Sequence, residues 1–276
     1  MKRRLHTLFC LIAAACGAFH GLWWQEAYGI QIEENLFALA TPAPTPAGAA
    51  FSIEVLSAGV ETPRPRILIY HTHTYEAYEQ TQENPYRETE KWRTADNAHN
   101  VVRVGEELAG LLRALGMEVV HDTTAFEPPT LSSAYMRSLE MLQRRAEAGE
   151  TYDLYIDLHR DAYAASYTGP NTVSAGGKDT AKLMVLIGKG EGQTGQGFDE
   201  KPDWEANLAV AQRITDALNQ QCGGICRDVC LKSGRYNQHV AKGCILIEAG
   251  NNRNTLAQVL AAMPWLADAI QQGIQP

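Results

Sequence analysis

Short runs of apolar residues alternate along this chain with longer segments in which apolar residues recur every third or fourth position. The short runs indicate buried strands, and the periodic segments indicate amphipathic helices. Because strand and helix alternate, the pattern favours βαβ units, which pair their strands in parallel. Strands are predicted at 66–70, 117–121, 152–158, 181–187, 225–231 and 244–247, and helices at 101–112, 132–148, 206–218 and 255–270. We therefore expect an α/β fold, with a mostly parallel, twisted sheet of about six strands and helices on both faces.

Polar residues precede the first and the last predicted helix. Asp and Asn accept hydrogen bonds from the free N–H groups of a first helical turn, so they mark where a helix begins. Asp96 or Asn97 is expected to cap the first helix, and Asn254 the last.

The first 26 residues have the pattern of a signal or membrane-anchor segment. Lys2–Arg4 are basic, residues 8–19 are largely apolar, and Trp23 and Trp24 follow where an interfacial aromatic pair is usual. The apolar run is shorter than the roughly 20 residues of a comfortable span, and no convincing small-x-small cleavage site follows it. We favour an uncleaved anchor over a cleaved signal. In either case the basic residues predict that the remainder of the chain is exported.

A stretch rich in proline and alanine separates this segment from the rest of the chain. Residues 41–47 read TPAPTPA, a composition typical of an extended, fairly stiff tether. The predicted organisation is a signal or anchor segment at 1–26, a linker at 27–64 and a folded domain at 65–276.

The charge of the chain argues against nucleic acid as its main partner. Lys and Arg number 24 against 32 Asp and Glu, a net charge of -8. Binding to a phosphate backbone calls for the opposite balance.

Four cysteines fall in the predicted domain, at Cys222, Cys226, Cys230 and Cys244. The first three would line one face of a helix, but the glycine pair 223–224 should break that helix. For an exported domain we therefore favour disulfides or free thiols over a metal site.

Chemically active side chains follow three of the predicted strands. His71 and His73 follow the first strand, His159 follows the third, and Glu248 follows the last. Because parallel strands end at one edge of a sheet, we expect these side chains to converge. If the extended geometry continues past the first strand, alternation places His71 and His73 on the same side. Imidazole is a common zinc ligand, and a hydrolytic zinc site has three protein ligands and one open position.

These residues predict a hydrolytic zinc site. His159 and one of the two early histidines supply two ligands, and Glu248 is placed to act as the general base. The third ligand stays open between Asp96, Glu76 and the second early histidine, with His99 a weaker candidate. For Asp96, the sequence alone favours a helix cap over ligation.

The residues around His159 suggest supporting roles. Arg160 could clamp a carboxylate of the substrate, and Asp157 or Asp161 could orient the imidazole of His159. A surface ion pair between Arg160 and Asp161 would explain those two residues as well.

Four short motifs follow one another between residues 66 and 270. They are Tyr70-His71-Thr72-His73-Thr74-x-Glu76, Asn100-Val101-Val102-x-Val104-Gly105, Asp157-x-His159-Arg160-Asp161-Ala162, and Tyr236-Asn237-Gln238 followed by Ile247-Glu248-x-Gly250. In this order they resemble the stage II sporulation protein P family. That is a family of anchored cell-wall hydrolases of endospore-forming bacteria, related to the zinc-dependent N-acetylmuramoyl-L-alanine amidases.

The resemblance implies a zinc amidase-like fold and a Zn2+ cofactor. It also implies cleavage of peptidoglycan at the amide between muramic acid and L-alanine during engulfment, with a possible second cut in the cross-linking peptide. The implied partners are stage II sporulation proteins D and M. The implied location is the cell membrane, held by the single N-terminal anchor, with the catalytic domain outside the cytoplasm at the septum. Long loops at 75–94 and 188–203 would form the walls of a groove for a glycan strand.

Carried onto this sequence, the amidase pattern makes His73 the first ligand, with His71 as the alternative, His159 the second ligand, and Glu248 the catalytic glutamate. The amidases have a glutamate ligand just before their first helix, where this chain has residues 98–100, Ala-His-Asn. The third ligand therefore stays open, with Asp96 as the nearest acid.

Two other functions fit the same residues. The departure at the third ligand would suit a wall-binding scaffold with a degenerate site. A metal-dependent deacetylase of the same glycan would use similar chemistry but release acetate.

Overall fold

The structure, a computed structural model, describes residues 64–163, 169–192 and 198–274. The chain divides into two units, Met1–Pro63 and Arg64–Pro276, and every described residue belongs to the second. The predicted anchor and nearly all of the predicted linker lie outside the described residues. Within those residues, no helix is long and apolar enough to cross a bilayer.

The described residues form a six-stranded sheet and a separate two-stranded hairpin. In chain order the strands are β1 Arg66–Tyr70, β2 Glu118–His121, β3 Leu154–Asp161, β4 Thr172–Ala175, β5 Lys178–Ala181, β6 Leu183–Gly188, β7 Cys230–Lys232 and β8 Cys244–Asn251. The main sheet has the order β2-β1-β3-β8-β6-β7, and β4 pairs with β5. The first four strands in that order run parallel, while β6 pairs antiparallel with β8 and parallel with β7. The predicted six-stranded, mostly parallel sheet is confirmed.

Helices cover both faces of this sheet, as predicted. They are α1 Val101–Ala114, α2 Ala134–Glu147, α3 Trp204–Gln221, α4 Leu256–Leu260 and α5 Met263–Gly273. On one face, α2 packs against Leu68 and Tyr70 of β1. On the opposite face, α1 lies so close that a Cβ on Gly105 would sit 2.6 Å from the His71 ring. The two faces therefore receive alternate residues of the first strand and its extension.

The helix caps differ from those predicted. Asn100, rather than Asp96 or Asn97, caps α1 by accepting a hydrogen bond from the backbone N–H of Val102 at 2.9 Å. Asp96 and Asn97 are polar residues that suit a cap, but Asn100 is the residue that directly precedes the helix.

The last predicted helix is two helices, and Thr255 rather than Asn254 caps the first of them. Thr255 and Gln258 form a reciprocal capping box at the start of α4. Pro264 stands in the first turn of α5, where its missing N–H costs nothing, so the chain starts a new helix there.

The β4–β5 hairpin was not predicted. Gly176 and Gly177 connect its strands with φ of 56° and 73°, the left-handed conformation that a two-residue hairpin turn requires. A glycine pair between short alternating segments is a recognised hairpin signal, so the sequence did contain the information.

The cysteine region is also less regular than predicted. The strand predicted at 225–231 forms only over Cys230–Lys232, with an isolated bridge between Cys226 and Leu183. Cys222, Cys226, Cys230 and Cys244 are free thiols.

Candidate active site

The register of the central strands brings His159 and Glu248 side by side. Residues paired in a parallel ladder point to the same face, and His159 of β3 pairs with Glu248 of β8. Asp157, two residues earlier in β3, shares that face and pairs with Tyr70 of β1. The site therefore lies on the α2 side of the sheet, at the carboxyl ends of its parallel strands, as predicted.

His73 reaches this site through a turn. β1 ends at Tyr70, and the chain turns so that the backbone O of His73 accepts from the N–H of Glu76 at 3.2 Å. The His73 ring then meets the His159 ring edge-to-face, with centroids 5.2 Å apart, and the Tyr135 ring at 5.4 Å. Burial, with the nearby charge of His159, lowers the pKa of His73 to about 4, so the imidazole is neutral at pH 7.

A buried ion pair stands beside His73. The guanidinium of Arg93 pairs with the carboxylate of Glu127, and a Glu127 oxygen lies 3.7 Å from His73 Nδ1. That nitrogen is buried and hydrogen-bonds to nothing in the part of the chain that the structure describes. Burial raises the pKa of Glu127, although the hydrogen bond from Arg93 opposes it.

The same turn delivers Glu76 to His159. One carboxylate oxygen of Glu76 lies 3.4 Å from His159 Nδ1 and accepts from the backbone N–H of Arg160 at 3.0 Å. Burial alone would raise the pKa of Glu76. The hydrogen bond and charge of His159 outweigh it and hold that pKa at about 2, so the carboxylate is ionised.

His159 has a carboxylate at each ring nitrogen. Besides Glu76, Asp157 approaches His159 Nε2 to 2.8 Å. That distance suits a hydrogen bond, but no described residue meets Nε2 with hydrogen-bond alignment, so we regard the contact as mainly electrostatic. Burial alone would lower the pKa of His159, yet the two carboxylates raise it well above its usual value.

Glu248 is half-buried, and its Oε2 is fully buried. Its Oε2 has no hydrogen-bond partner within residues 64–163, 169–192 and 198–274. Burial raises the pKa of the carboxyl to about 8, with the charge of His159 acting in the opposite direction. We call His73, Glu76, His159 and Glu248 the open cluster. Three of its buried atoms, His73 Nδ1, His159 Nε2 and Glu248 Oε2, have no hydrogen-bond partner among the described residues.

His71 does not project with His73. It lies on the α1 face, where its Nδ1 is 2.9 Å from the backbone O of Leu158 and its Nε2 is 2.9 Å from His121 Nε2. The other nitrogen of His121 lies 3.0 Å from a Glu106 oxygen. We call these two rings the His71–His121 pair. Both ring nitrogens of His71 are used in holding β1, β2 and β3 together.

Asp96 lies in the turn before α1, away from the contacts of the open cluster. Its side chain is 57% exposed, its Oδ1 accepts from the N–H of Ala98 at 3.0 Å, and its Oδ2 lies 3.7 Å from His99. The ring of His99 is in turn 2.6 Å from Asn84. The structure thus brings Glu76, rather than Asp96 or His99, next to His159.

Arg160 is turned toward the protein rather than toward a substrate. Its guanidinium donates to the backbone carbonyls of Ala77 at 2.9 Å, Trp92 at 3.2 Å and Asp161 at 3.3 Å. It therefore fixes the loop that carries Glu76. The side chain of Asp161 pairs with Arg227 instead.

A family model covers most of the chain. The sequence profile described as "Stage II sporulation protein P" matches residues 32–271. The chain belongs to the stage II sporulation protein P family. At this general level it is a peptidoglycan hydrolase of sporulation, in agreement with the motifs. No curated protein matches the chain by sequence.

The chain also matches solved structures of amidases. The CwlD amidase from Clostridioides difficile, in complex with the GerS lipoprotein, matches with a TM-score of 0.49 at 13% identity, over 77% of this chain and 97% of that one. AmiC2 of Nostoc punctiforme matches with 0.44 at 14%, over 77% and 96%. The catalytic domain of CwlV from Bacillus (Paenibacillus) polymyxa matches with 0.45 at 12%, over 76% and 96%. At these values a shared activity does not follow.

The residues present suit a zinc ion in type. A zinc–ligand distance of about 2.0–2.2 Å and tetrahedral angles put two ligand atoms roughly 3.3–3.5 Å apart, and His159 Nδ1 is 3.4 Å from Glu76. His73 adjoins this pair with a neutral ring. As they stand, no three His, Cys, Asp or Glu side chains among the described residues are already gathered as a metal site. The fit is one of donor type and proximity.

Glu127 and Tyr135 were not among the predicted site residues. Tyr135 lies in the first turn of α2, stacks on the His159 ring with centroids 6.4 Å apart, and meets the His73 ring edge-on. Glu127 lies in a segment with no periodic pattern. Neither follows a predicted strand, so no signal available in one sequence marks them.

Proposed function

We propose that the chain is a zinc-dependent N-acetylmuramoyl-L-alanine amidase, which hydrolyses the amide between muramic acid and L-alanine in peptidoglycan. The observation that carries this proposal is the open cluster. His73 and Glu76 each lie against His159, so three side chains of zinc-ligand type adjoin one another through that ring, and Glu248, with one unpartnered oxygen among the described residues, stands on the adjoining strand. This set supports the proposal because it supplies the donor types for three protein ligands and a nearby acid–base group.

In this proposal His73, His159 and Glu76 hold the metal. Asp157 orients the ring of His159 from behind, and Arg160 fixes the loop of Glu76 through its backbone contacts. Zinc, when bound, would polarise the scissile carbonyl, lower the pKa of a bound water, and favour the ionised form of a nearby carboxyl.

Glu248 moves the proton. Its free Oε2 accepts a proton from the attacking water and later donates it to the leaving amine of L-alanine.

We extend the proposal to the location and partners of the enzyme. Residues 1–26 anchor it in the cell membrane, the domain acts outside the cytoplasm on septal peptidoglycan during engulfment, and stage II sporulation proteins D and M are its partners. The basic and apolar pattern of the N-terminus and the family membership support this extension. A second cut in the cross-linking peptide belongs to the same proposal.

The test measures zinc content and cell-wall digestion of the full-length protein beside His159→Ala and His99→Ala. We expect one zinc per chain and new L-alanine amino termini, both lost in His159→Ala and both kept in His99→Ala. His99 serves as the control because it contacts Asn84 and Asp96 outside the open cluster. A protein without zinc that leaves the wall intact contradicts the proposal.

A wall-binding scaffold is the second candidate, because no ready-made three-ligand group exists among the described residues. Peptidoglycan binding without zinc or released product would favour it. Release of acetate instead of new amino termini would identify a deacetylase.

A further inference from the structure

The proposed function leaves the Tyr236-Asn237-Gln238 motif without a role, although its backbone is unusual. Tyr236 and Asn237 have φ of 51° and 55°, a left-handed conformation that residues with a side chain rarely adopt. They lie in the loop between β7 and β8. Such conformations persist where surrounding contacts hold them, so the contacts of Asn237 indicate what the loop is held for.

Asn237 begins a chain of buried hydrogen bonds. Its Nδ2 donates to the backbone O of Tyr135 at 2.8 Å and to Ser138 Oγ at 3.0 Å. Ser138 Oγ lies 2.9 Å from Thr72 Oγ1. Thr72 Oγ1 donates to Asp157 Oδ2 at 2.7 Å, and its backbone N–H donates to Oδ1 at 2.8 Å. This series of hydrogen bonds thus joins the β7–β8 loop, α2, the turn after β1, and β3.

The carboxylate of Asp157, at the end of this series, determines which group donates in each hydrogen bond. An ionised carboxylate only accepts, and each hydroxyl has one proton to give. Thr72 gives its proton to Asp157, so in its 2.9 Å contact with Ser138 it must accept. Ser138 Oγ also lies 3.2 Å from the backbone O of Tyr135, and its one proton favours the shorter contact with Thr72. Ser138 in turn accepts from the amide of Asn237. Both N–H bonds of that amide are used. Hydrogen bonds aligned in this way strengthen one another in a medium without water.

We propose that Asn237 is a positioning residue for His159, acting through Ser138, Thr72 and Asp157. Asp157 is the carboxylate that faces His159 Nε2, at 2.8 Å, so a shift of Asp157 moves the charge that holds the imidazole in place. Asn237 also holds the backbone of Tyr135, whose ring stacks on His159. One amide therefore supports the ring from two directions.

Burial favours this role over a surface tie. Thr72 and Ser138 have 0% exposure, Asp157 1% and Asn237 5%, so water cannot replace a missing partner. Loss of the amide leaves Ser138 Oγ and the Tyr135 carbonyl with fewer partners, and Asp157 is freer to turn.

The inference rests on the proposed function for its effect on zinc, but its effect on the His159 ring is independent of it. The test variant is Asn237→Gly, which removes the amide while glycine accepts the positive φ without strain. The matched control is Asn207→Ala. Asn207 is a fully buried amide that supports the same loop, through Gln238 O at 3.2 Å and the N–H of Gly243 at 2.9 Å, outside the chain to Asp157.

Three measurements are made on the full-length protein. They are the zinc dissociation constant by competition with a chelator, kcat and KM on a muramoyl-peptide fragment, and the side-chain 15N signals of His159, assigned by their loss in His159→Gln. For Asn237→Gly we expect zinc affinity and kcat to fall about 10–100-fold, the usual effect of losing a group that orients a ligand. KM should change little, and the His159 signals should shift or broaden.

Asn207→Ala should lower Tm while leaving zinc affinity, kcat and the His159 signals as in the wild type. The proposal is overturned if Asn237→Gly keeps wild-type zinc affinity and His159 signals, or if Asn207→Ala reproduces both changes. A wild-type protein without zinc or cleavage refutes the proposed function only, because the His159 signals still report whether Asn237 positions the ring.

Discussion

His71 and His73 stand two residues apart, yet they belong to different kinds of site. His71 is buried on the α1 face, and both of its ring nitrogens meet fixed partners, Leu158 O and His121. His73 lies on the α2 face beside His159, and its buried Nδ1 has no hydrogen bond from any described residue. A polar ring with every partner in place holds strands together, whereas one with a free nitrogen has capacity left for a ligand.

The end of β1 explains why the two rings separate. Strict alternation would send both to the same face, but the strand stops at Tyr70 and the following turn rotates the chain. Thr72 then faces Asp157, and His73 and Glu76 arrive together at His159. The turn therefore separates a structural histidine from a candidate ligand.

Replacing His73 should produce the largest effect on activity. We expect His73→Ala to lose bound zinc and to reduce cleavage by more than the about 10⁴-fold that marks the upper range for losing a general base, since the metal and its activated water are both removed. Metal analysis and release of L-alanine amino termini measure this. His71→Ala, assayed at a temperature where it remains folded, is the control and should keep zinc. Equal zinc loss in both variants would contradict the separation.

Glu248→Gln should reduce kcat by about 10²–10⁴-fold while zinc stays bound. Gln has nearly the same shape but cannot accept the proton of water, which is the role proposed for the free Oε2. Single-turnover assays and metal analysis test this, with Glu118→Gln, an exposed change on β2, as the control. Retained turnover in Glu248→Gln would remove this residue from the proposed mechanism.

His71→Ala should lower the free energy of unfolding by about 3 kcal/mol. The change leaves a cavity, and it strips Leu158 O and His121 Nε2 of a buried partner. Urea denaturation monitored by circular dichroism measures the loss. His239→Ala, which removes a ring of lower burial, should cost about 1 kcal/mol. A cost for His71→Ala no greater than that for His239→Ala would show that the His71–His121 pair adds nothing to stability.

The His71–His121 pair should also make stability depend on pH. Burial, with the neighbouring His121, lowers the pKa of His71 to about 3, against about 6.5 in an unfolded chain. The unfolded state therefore binds a proton as pH falls below 6.5, while the folded state does not until near pH 3. The contribution is complete above pH 6.5 and is lost below it, by about 1.4 kcal/mol between pH 7.5 and 5.5.

Urea titrations with a chelator present, at those two pH values, test this. The wild type should lose about 1.4 kcal/mol more than His71→Ala between them. If wild type and His71→Ala lost the same stability between the two pH values, His71 would take up its proton in the folded protein over the same pH range as in the unfolded chain.

The sequence alone predicts the sheet better than the site. Its apolar runs are long enough to identify the parallel strands, and their shared edge places His159 and Glu248 correctly. The prediction that His71 and His73 share a face was wrong, because side chains alternate only while the strand lasts. No residue between Tyr70 and His73 marks the end of that strand. The sequence makes Glu76 one of several candidate ligands but cannot select it, because its position depends on a turn closed by backbone hydrogen bonds.

Contacts between distant segments are beyond the reach of a single sequence. Tyr135 and Asn237 meet the site only because α2 packs over β1 and β3 and the β7–β8 loop folds onto α2. Asn237 lies in a motif that the sequence displays, but the motif does not reveal that its amide donates to Ser138, two hydrogen bonds away from Asp157. Local patterns report the periodicity of strands and helices, while the supporting residues are fixed by packing.

Replacing Asp96 should have the smallest effect on zinc binding and cleavage. Its comparison with Glu76 tests which carboxylate is the third ligand. Its carboxylate is mostly exposed and accepts a local hydrogen bond, so Asp96→Asn should change zinc affinity and cleavage by less than about twofold and stability by less than about 0.5 kcal/mol. Glu76→Gln is the matched change, and it should weaken zinc binding strongly, because that carboxylate lies 3.4 Å from His159 Nδ1. Chelator competition compares the two variants. A loss of zinc in Asp96→Asn with none in Glu76→Gln would require the turn before α1 to swing onto the open cluster, and would make Asp96 the ligand.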